Sequence, residues 1–151
     1  MDLIFREANQ NDIEALVVLL ADDILGASRE DPAKPLNQRY SDAFESIQKD
    51  PNNELIVVES DSHLAGMLQL TFIPFLTHKG SWRCLIEGVR IAKAYRGKGL
   101  GSEFIGWAIK RAKERHCTIV QLTSDKQRPD ALRFYESIGF NASHEGFKLR
   151  I

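Results

Sequence analysis

The chain has 151 residues, 43% of them hydrophobic, which is enough length and apolar content for one domain with its own core. Its 20 Lys and Arg residues and 21 Asp and Glu residues give a net charge of −1, which argues against general nucleic-acid binding by charge. The sequence contains no run of 18 apolar residues, and its N-terminus lacks the apolar core of a signal peptide, so we expect neither a membrane span nor secretion.

The first third of the chain predicts one strand and two helices. Leu3–Ala8 has the composition of an opening strand. Asn11 and Glu14 fit a capping box, and the apolar residues that follow at helical spacing predict a helix that ends near Gly26. Residues 26–36 are polar and contain two prolines, which predicts a loop. A second helix is predicted from about residue 37 to residue 50.

The rest of the chain predicts strands interrupted by two helices. A hairpin turn at residues 60–63 joins the first pair of strands, and a connection from Pro74 to Gly80 contains His78. The predicted strands are residues 54–59, 64–73, 81–91 and 118–123, with a closing strand at residues 147–151. The predicted helices are residues 102–116 and residues 129–138, the second one stopped by Gly139.

The cysteine and histidine residues point to no metal and no disulfide scaffold. Cys84 and Cys117 lie in apolar segments and are too few to staple a fold, so a reducing cytoplasm is the expected location. The four histidines show no metal-ligand spacing, so no metal site is predicted.

A glycine-rich stretch, Val89 to Gly101, joins a strand to a helix and organises the chain. The R-x-x-G-x-G motif of this stretch runs from Arg96 to Gly101, and Lys98 within it supplies a second positive charge. Glycines permit close approach of a ligand, and the first turn of the following helix offers unpaired N–H groups, so the stretch predicts a phosphate site. Neither the P-loop pattern nor the dinucleotide fingerprint fits the glycine spacing.

This stretch, with Glu87 and Gly88 before it, resembles the acetyl-CoA-binding motif of the GNAT superfamily of N-acetyltransferases. A second stretch, from Ala131 to Phe140, resembles that superfamily's next motif, a helix that ends in Tyr-x-x-x-Gly-Phe. The resemblance covers residues 87–102 and 123–140 and is to small bacterial-type members with a single domain, here residues 1–151. It implies an α/β fold: a mixed, mostly antiparallel central sheet flanked by helices, in which the fourth and fifth strands splay apart.

The resemblance also implies where acetyl-CoA binds. The pantetheine arm is expected along Val89, Arg90 and Ile91, with the N–H of Val89 or Arg90 as an oxyanion donor. The pyrophosphate is expected on the loop, which comprises Arg96, Gly97, Lys98, Gly99, Leu100, Gly101 and Ser102. Phe134 of the second motif is a further expected cofactor-binding residue. Many members carry an asparagine shortly before the second motif, whereas this chain has Ser124 and Asp125.

Two proton carriers follow from the same resemblance. Tyr135 matches the tyrosine proposed to protonate the departing thiolate, with aromatic packing as its alternative role. Glu87 is the candidate base for the amine, either directly or through water, and its alternative is an ion pair with Arg83 or Arg90. Residues 26–36 and the connection near His78 are either solvated connectors or walls of the acceptor pocket.

The resemblance therefore implies an acetyl-CoA-dependent N-acetyltransferase that acts on a primary amine of a small molecule or peptide, through direct transfer in a ternary complex. The alternative is a regulatory protein that binds acyl-CoA without turnover. A homodimer is possible, and neither a membrane nor a nucleic acid is an expected partner.

Overall fold

The computed structural model describes residues 2–151. These residues divide into two compact units, with the boundary along the sequence between Gln121 and Leu122. The first unit holds nearly all of the sheet and five of the helices of the described chain, and the second holds one helix and the C-terminal segment. The organisation of residues 1–151 as a single domain stays a prediction.

The strands form one five-stranded sheet in which the spatial order follows the sequence order. They are β1 Leu3–Glu7, β2 Asn53–Ser60, β3 His63–Pro74, β4 Trp82–Ile91 and β5 Cys117–Leu122. Strands β1 to β4 pair antiparallel, and β5 lies parallel to β4. The predicted mixed, mostly antiparallel sheet flanked by helices is therefore confirmed.

The parallel pair touches over only a short length, unlike the long antiparallel ladders. At the end where β4 begins, Thr118 Oγ1 donates to the carbonyl of Trp82 at 3.5 Å and Arg83 donates to the side chain of Gln121. The far end of β4, where the glycine loop begins, is half-buried to exposed. The side-chain hydrogen bonds between the two strands thus lie at the end of β4 away from the glycine loop.

The helices follow the predicted pattern with shifted ends. They are α1 Ile13–Ala21, α2 Ile24–Arg29, α3 Gln38–Lys49, the single short turn α4 Thr77–Gly80, α5 Leu100–Glu114 and α6 Pro129–Ser137. Residues 10–12 and residues 93–95 form 3₁₀ turns.

The helices of the first unit cover both faces of the sheet, because side chains alternate along each strand. On one face, Val57 and Met67 pack in a core with Leu16 and Val17 of α1 and Phe44 of α3. On the other face, Phe104 of α5 is fully buried and its ring lies 5.6 Å from that of Phe5 in β1. The sheet is thus the middle of three layers, and the face it shares with α1 and α3 also carries Glu87.

The start of α1 differs from the prediction. The capping box is formed by Asn9 and Asp12 around the 3₁₀ turn, not by Asn11 and Glu14. Asn9 and Asp12 depart from the usual pattern, which has Glu or Gln at the second position of the pair. Asp12 is also held by two hydrogen bonds from Arg6 of β1, which favours the earlier pair.

The end of α1 and the following loop also differ. α1 stops at Ala21, and Gly26 lies inside a second helix that is capped by the Asp23 side chain. A Cβ on Gly26 would lie 2.0 Å from the carbonyl oxygen of Leu20, so glycine is required here for close packing and not to end a helix. The predicted loop at residues 26–36 therefore begins only at Glu30.

The predicted closing strand is wrong. Residues 140–151 contain no strand, and the alternating apolar side chains of Phe147, Leu149 and Ile151 are exposed. Alternation favours an extended backbone, but a strand forms only where a neighbour completes its hydrogen bonds.

Candidate active site

β4 contains a β-bulge shortly before the glycine loop. Glu87 lies opposite Gln69 and Arg90 lies opposite Met67, so Gly88 and Val89 together face a single residue of β3. Gly88 has a φ of +61°, a left-handed conformation that suits glycine. A bulge releases a residue from the ladder, so backbone groups at Gly88 and Val89 are turned away from β3. This is the position at which the sequence predicts the pantetheine arm and the oxyanion donor.

The glycine loop follows within a few residues. Gly97 and Gly99 have φ angles of +73° and +83°, and Gly99 is the N-cap of α5. An added Cβ at either position would meet no protein atom within 4 Å, so open space surrounds the backbone. The first-turn N–H groups of α5, at Leu100, Gly101 and Ser102, have no acceptor within the helix. The loop is therefore shaped for an anion approaching the positive end of a 15-residue helix.

Two arginines tie the site to the connection between α1 and α2. Arg96 donates from Nε to the carbonyl of Ile91 at 2.9 Å, and its Nη2 lies 3.4 Å from Asp22. The guanidinium of Arg90 lies 3.8 Å from Asp23. Both cations thus already have acidic neighbours, whereas the Lys98 ammonium lies beside the Tyr95 ring and is exposed.

Glu87 is exposed on the face of the sheet that α1 and α3 cover. Among residues 2–151, its carboxylate forms no ion pair and no hydrogen bond. Arg83 instead stacks on the ring of Phe75 and donates to Gln121, and Arg90 turns to Asp23. The ion pair offered as the alternative role of Glu87 is therefore absent.

Phe134 and Tyr135 lie in the second unit, on α6. The Tyr135 ring packs edge-on against Phe134 at 5.1 Å and against Phe140 at 5.8 Å between centroids. Gly139, with a φ of +100°, ends the helix, and the N–H of Phe140 returns to the carbonyl of Tyr135 at 3.0 Å. The motif thus fixes the tyrosine ring by local aromatic packing.

The Asp125 side chain has a structural role in the same unit. It accepts a hydrogen bond from the N–H of Gln127 at 2.8 Å and so closes the turn before α6.

The cysteines supply no nucleophile. Burial raises the pKa of the Cys84 thiol to about 12 and also raises the pKa of Cys117. Both are therefore thiols near neutral pH, whereas nucleophilic attack by sulfur requires a thiolate.

An open groove of about 610 Å³ lies beside α1, lined by Glu14, Asp22, Lys34, Leu64 and Ala92, among others. Asp22, the carboxylate that neighbours Arg96, lines this groove, whereas Glu87 does not. Lys34 is the part of segment 26–36 that lines it, where it pairs with Glu14 at 2.8 Å.

Residues 2–151 contain no helix that is long and apolar enough to cross a membrane. Within the same range, no three His, Cys, Asp or Glu side chains are grouped to hold a metal ion.

The fold and the loop geometry together fit a protein that binds a ligand carrying phosphate groups. A sequence model described as "Acetyltransferase (GNAT) family" matches residues 21–140. The chain belongs to the GNAT acetyltransferase family, whose members take the acetyl group from acetyl-CoA. The resemblance drawn from the two motifs is confirmed, and an N-acetyltransferase activity is the activity of the family.

Three relatives illustrate the similarity. The crystal structure of a transcriptional regulator from Bacillus halodurans C-125 is 57% identical, with a TM-score of 0.96 over 99% of this chain and 100% of that chain. A Trypanosoma brucei acetyltransferase is 25% identical, with a TM-score of 0.78 over 99% of this chain and 100% of that one. The aminoalkylphosphonate N-acetyltransferase of Salmonella typhimurium is 28% identical over 110 residues, 73% of this chain and 71% of the relative.

The predicted site residues from Val89 to Ser102 all lie in the first unit, between the bulge in β4 and the first turn of α5. Sequence reasoning missed Asp22 and Asp23, which neighbour the two arginines, and Gln69, which faces Glu87 across the sheet. Gly88 inside a strand is a signal for the bulge, but the cross-strand partners depend on a register that no local pattern specifies.

Proposed function

We propose that this chain transfers an acetyl group from acetyl-CoA directly to a primary amine of a small molecule or peptide, with both substrates bound at once. The observation that carries the proposal is that three features follow one another along one stretch. They are a carboxylate at Glu87 with no ion-pair partner among residues 2–151, a bulge at Gly88, and the loop from Arg96 to Ser102 with open space around its glycines.

The loop fits the diphosphate of coenzyme A. Open space around Gly97 and Gly99, the N-terminus of α5 and the exposed Lys98 together offer unpaired donors and positive charge to an anion. The backbone at Val89 and Ile91 is the expected partner of the pantetheine arm. A backbone N–H at Val89 or Arg90 would stabilise negative charge that develops on the acetyl oxygen.

The amine must lose a proton before it attacks. An alkylammonium has a pKa near 10.4, so only about one molecule in 10³ is nucleophilic at pH 7. Glu87 is exposed and without an ion-pair partner among the described residues, so it can accept that proton directly or through water. We assign the return of a proton to the departing sulfur to the hydroxyl of Tyr135, as the motif of its family suggests.

Direct transfer is favoured over an acetylated enzyme. Such an intermediate needs a nucleophilic side chain, and both cysteines have raised pKa values. Holding the two substrates in attack geometry supplies a large part of the rate in this mechanism.

The test is a thiol-release assay with acetyl-CoA and a panel of primary amines. Aminoalkylphosphonates enter the panel because a relative that is 28% identical acts on them, and peptides with free N-termini represent the other acceptor class. We expect release of free thiol with at least one amine and an acetylated product of matching mass. The control is Gly99→Glu, which places a carboxylate in the loop and should abolish acetyl-CoA binding in a folded protein.

A regulatory function is the second candidate, because a structure with 57% identity is described as a transcriptional regulator. Binding of acetyl-CoA without thiol release from any amine, together with a DNA shift that weakens as salt rises, would favour it. A net charge of −1 weighs against DNA binding by charge alone.

A homodimer and a cytoplasmic location stay predictions. Light scattering on the purified protein measures the oligomeric state directly, and fractionation of cells measures the location.

A further inference from the structure

A chain of hydrogen bonds lies on the sheet face beside Glu87. Asn53 Nδ2 donates to Asp50 Oδ2 at 2.6 Å. The Oδ1 atom of the same asparagine accepts from Gln69 Nε2 at 3.1 Å and from Thr71 Oγ1 at 2.9 Å. Asn53, Gln69 and Thr71 are all half-buried, so this chain of hydrogen bonds borders solvent.

These hydrogen bonds fix which way the oxygen and the nitrogen of the Gln69 amide point. The Asp50 carboxylate accepts from the N–H of Asn52 and from Asn53, hydrogen bonds that lower its pKa, so near neutral pH it only accepts. Asn53 must therefore turn its NH₂ group toward Asp50 and its oxygen toward Gln69. Gln69 in turn must donate with Nε2, which directs its Oε1 atom away from Asn53.

The Oε1 atom of Gln69 is left as an acceptor. No donor within residues 2–151 is hydrogen-bonded to it. Gln69 lies directly opposite Glu87 in the ladder between β3 and β4, so the two side chains stand on the same face. Directly opposite residues have Cβ atoms about 4.5–5.5 Å apart. Two acceptors without a donor between them therefore lie next to the bulge.

We propose that Gln69 is an amine-binding residue, and that its Oε1 atom and the Glu87 carboxylate form a two-acceptor site for a primary ammonium group. This inference rests on the proposed function and specifies its acceptor side. A primary ammonium carries three N–H donors, so it satisfies both acceptors and keeps one N–H for water or a backbone carbonyl. An amide does not take up a proton near neutral pH, so Gln69 holds the amine without competing with Glu87 for the proton.

Steady-state kinetics of three variants test the assignment, with n-butylamine and 2-aminoethylphosphonate as probes. Gln69→Met keeps the length of the side chain and removes its oxygen. We expect the amine KM to rise about tenfold or more, the scale of a hydrogen bond to a charged group, with the acetyl-CoA KM unchanged. Asn53→Ala releases the Gln69 amide without deleting it, so its amine KM should rise less.

Thr71→Val is the matched control. Thr71 donates to the same Asn53 oxygen as Gln69, but it faces Leu85 and not Glu87 across the ladder. Its loss disturbs the same network and should leave both KM values near those of the wild type. Equal rises in amine KM for Thr71→Val and Gln69→Met would show that the network only supports the fold, which overturns the proposal.

A binding measurement separates this inference from the proposed reaction. The side-chain NH₂ signals of Gln69, assigned by triple-resonance spectra of the wild-type protein, are followed by NMR as n-butylamine hydrochloride is added to that protein with coenzyme A. Shifted signals support the amine site even if no amine in the panel is acetylated. Signals that stay in place overturn it, even if the protein is an active acetyltransferase or the variants fail to fold.

Discussion

The glycine loop makes a quantitative prediction through Gly99→Ala. Gly99 has a φ of +83°, and an alanine in that left-handed region costs roughly 1–2 kcal/mol of folding free energy. For a chain of 151 residues, about 2–4 °C of Tm is lost per kcal/mol, so the variant should melt about 2–8 °C below the wild type. The fold should survive this loss.

Acetyl-CoA binding should suffer more than stability. The added Cβ of Gly99→Ala meets no protein atom within 4 Å, so any steric effect must come from a ligand in the loop. If the methyl group prevents one charge-assisted hydrogen bond to the diphosphate, the loss is about 1.5–3 kcal/mol. This corresponds to a Kd for acetyl-CoA that is roughly 10- to 150-fold weaker by calorimetry.

Gly80→Ala is the matched control for the backbone effect. Gly80 has a φ of +69°, and its added Cβ would approach only the Phe75 carbonyl oxygen, at 3.9 Å. Both variants should therefore lose similar amounts of Tm, but only Gly99→Ala should lose affinity for acetyl-CoA. A folded Gly99→Ala protein with wild-type affinity, or an equal loss of affinity in both variants, would refute the phosphate site.

Four further predictions test the proton carriers and the stability of the fold. Glu87→Gln should lower turnover mainly at low pH, where the amine is charged, by about 10² to 10⁴-fold, with partial rescue at high pH. Tyr135→Phe should lower kcat by a smaller factor without changing acetyl-CoA affinity, and high pH should not rescue it. Arg111→Met leaves the buried Glu54 carboxylate short of its main partner, so urea unfolding should show a loss of about 3 kcal/mol. Hydrogen bonding to an arginine lowers the pKa of Asp12, so the stability advantage over Asp12→Asn should be present above about pH 4 and shrink as the pH falls.

Each of these predictions has an outcome that contradicts it. An unchanged pH–rate profile for Glu87→Gln would make water or another group the base, and a wild-type rate for Tyr135→Phe would leave that residue with packing alone. Arg133→Met, which removes an exposed ion pair with Asp130, should cost less than about 1 kcal/mol. If Arg111→Met costs no more than this control, the buried pair does not stabilise the fold. A pH-independent difference between the wild type and Asp12→Asn would show that the charge of Asp12 is irrelevant to stability.

The elements around the site could be predicted because each of their signals is local. Strand composition before the loop, three glycines in five residues and helical spacing after Gly101 all act within a few residues. These features placed β4, the loop and α5 within two residues of their ends in the structure. The family resemblance then supplied the mixed, mostly antiparallel sheet, which no periodicity specifies.

The failures come from glycines and strands whose roles depend on distant partners. Gly26 looks like the end of a helix, but the Leu20 carbonyl requires a glycine there for contact between α1 and α2. The alternation at Phe147, Leu149 and Ile151 looks like a strand, but no ladder holds it in the described chain. Gln69 carried no functional signal at all, since its importance arises only when register sets it opposite Glu87.

Neighbouring residues of β2 have different roles on the two faces of the sheet, because side chains alternate along the strand. Glu54 points to α5 and is 6% exposed. Its carboxylate accepts hydrogen bonds from Nε and Nη2 of Arg111. Asn53, its neighbour in sequence, points to the opposite face and begins the chain of hydrogen bonds that leads to Gln69. One residue of register therefore separates a carboxylate buried for stability from an amide that borders the amine site. A slip of β2 by one residue would exchange the faces on which Glu54 and Asn53 lie. The buried Glu54–Arg111 pair therefore also stabilises the register on which the site depends.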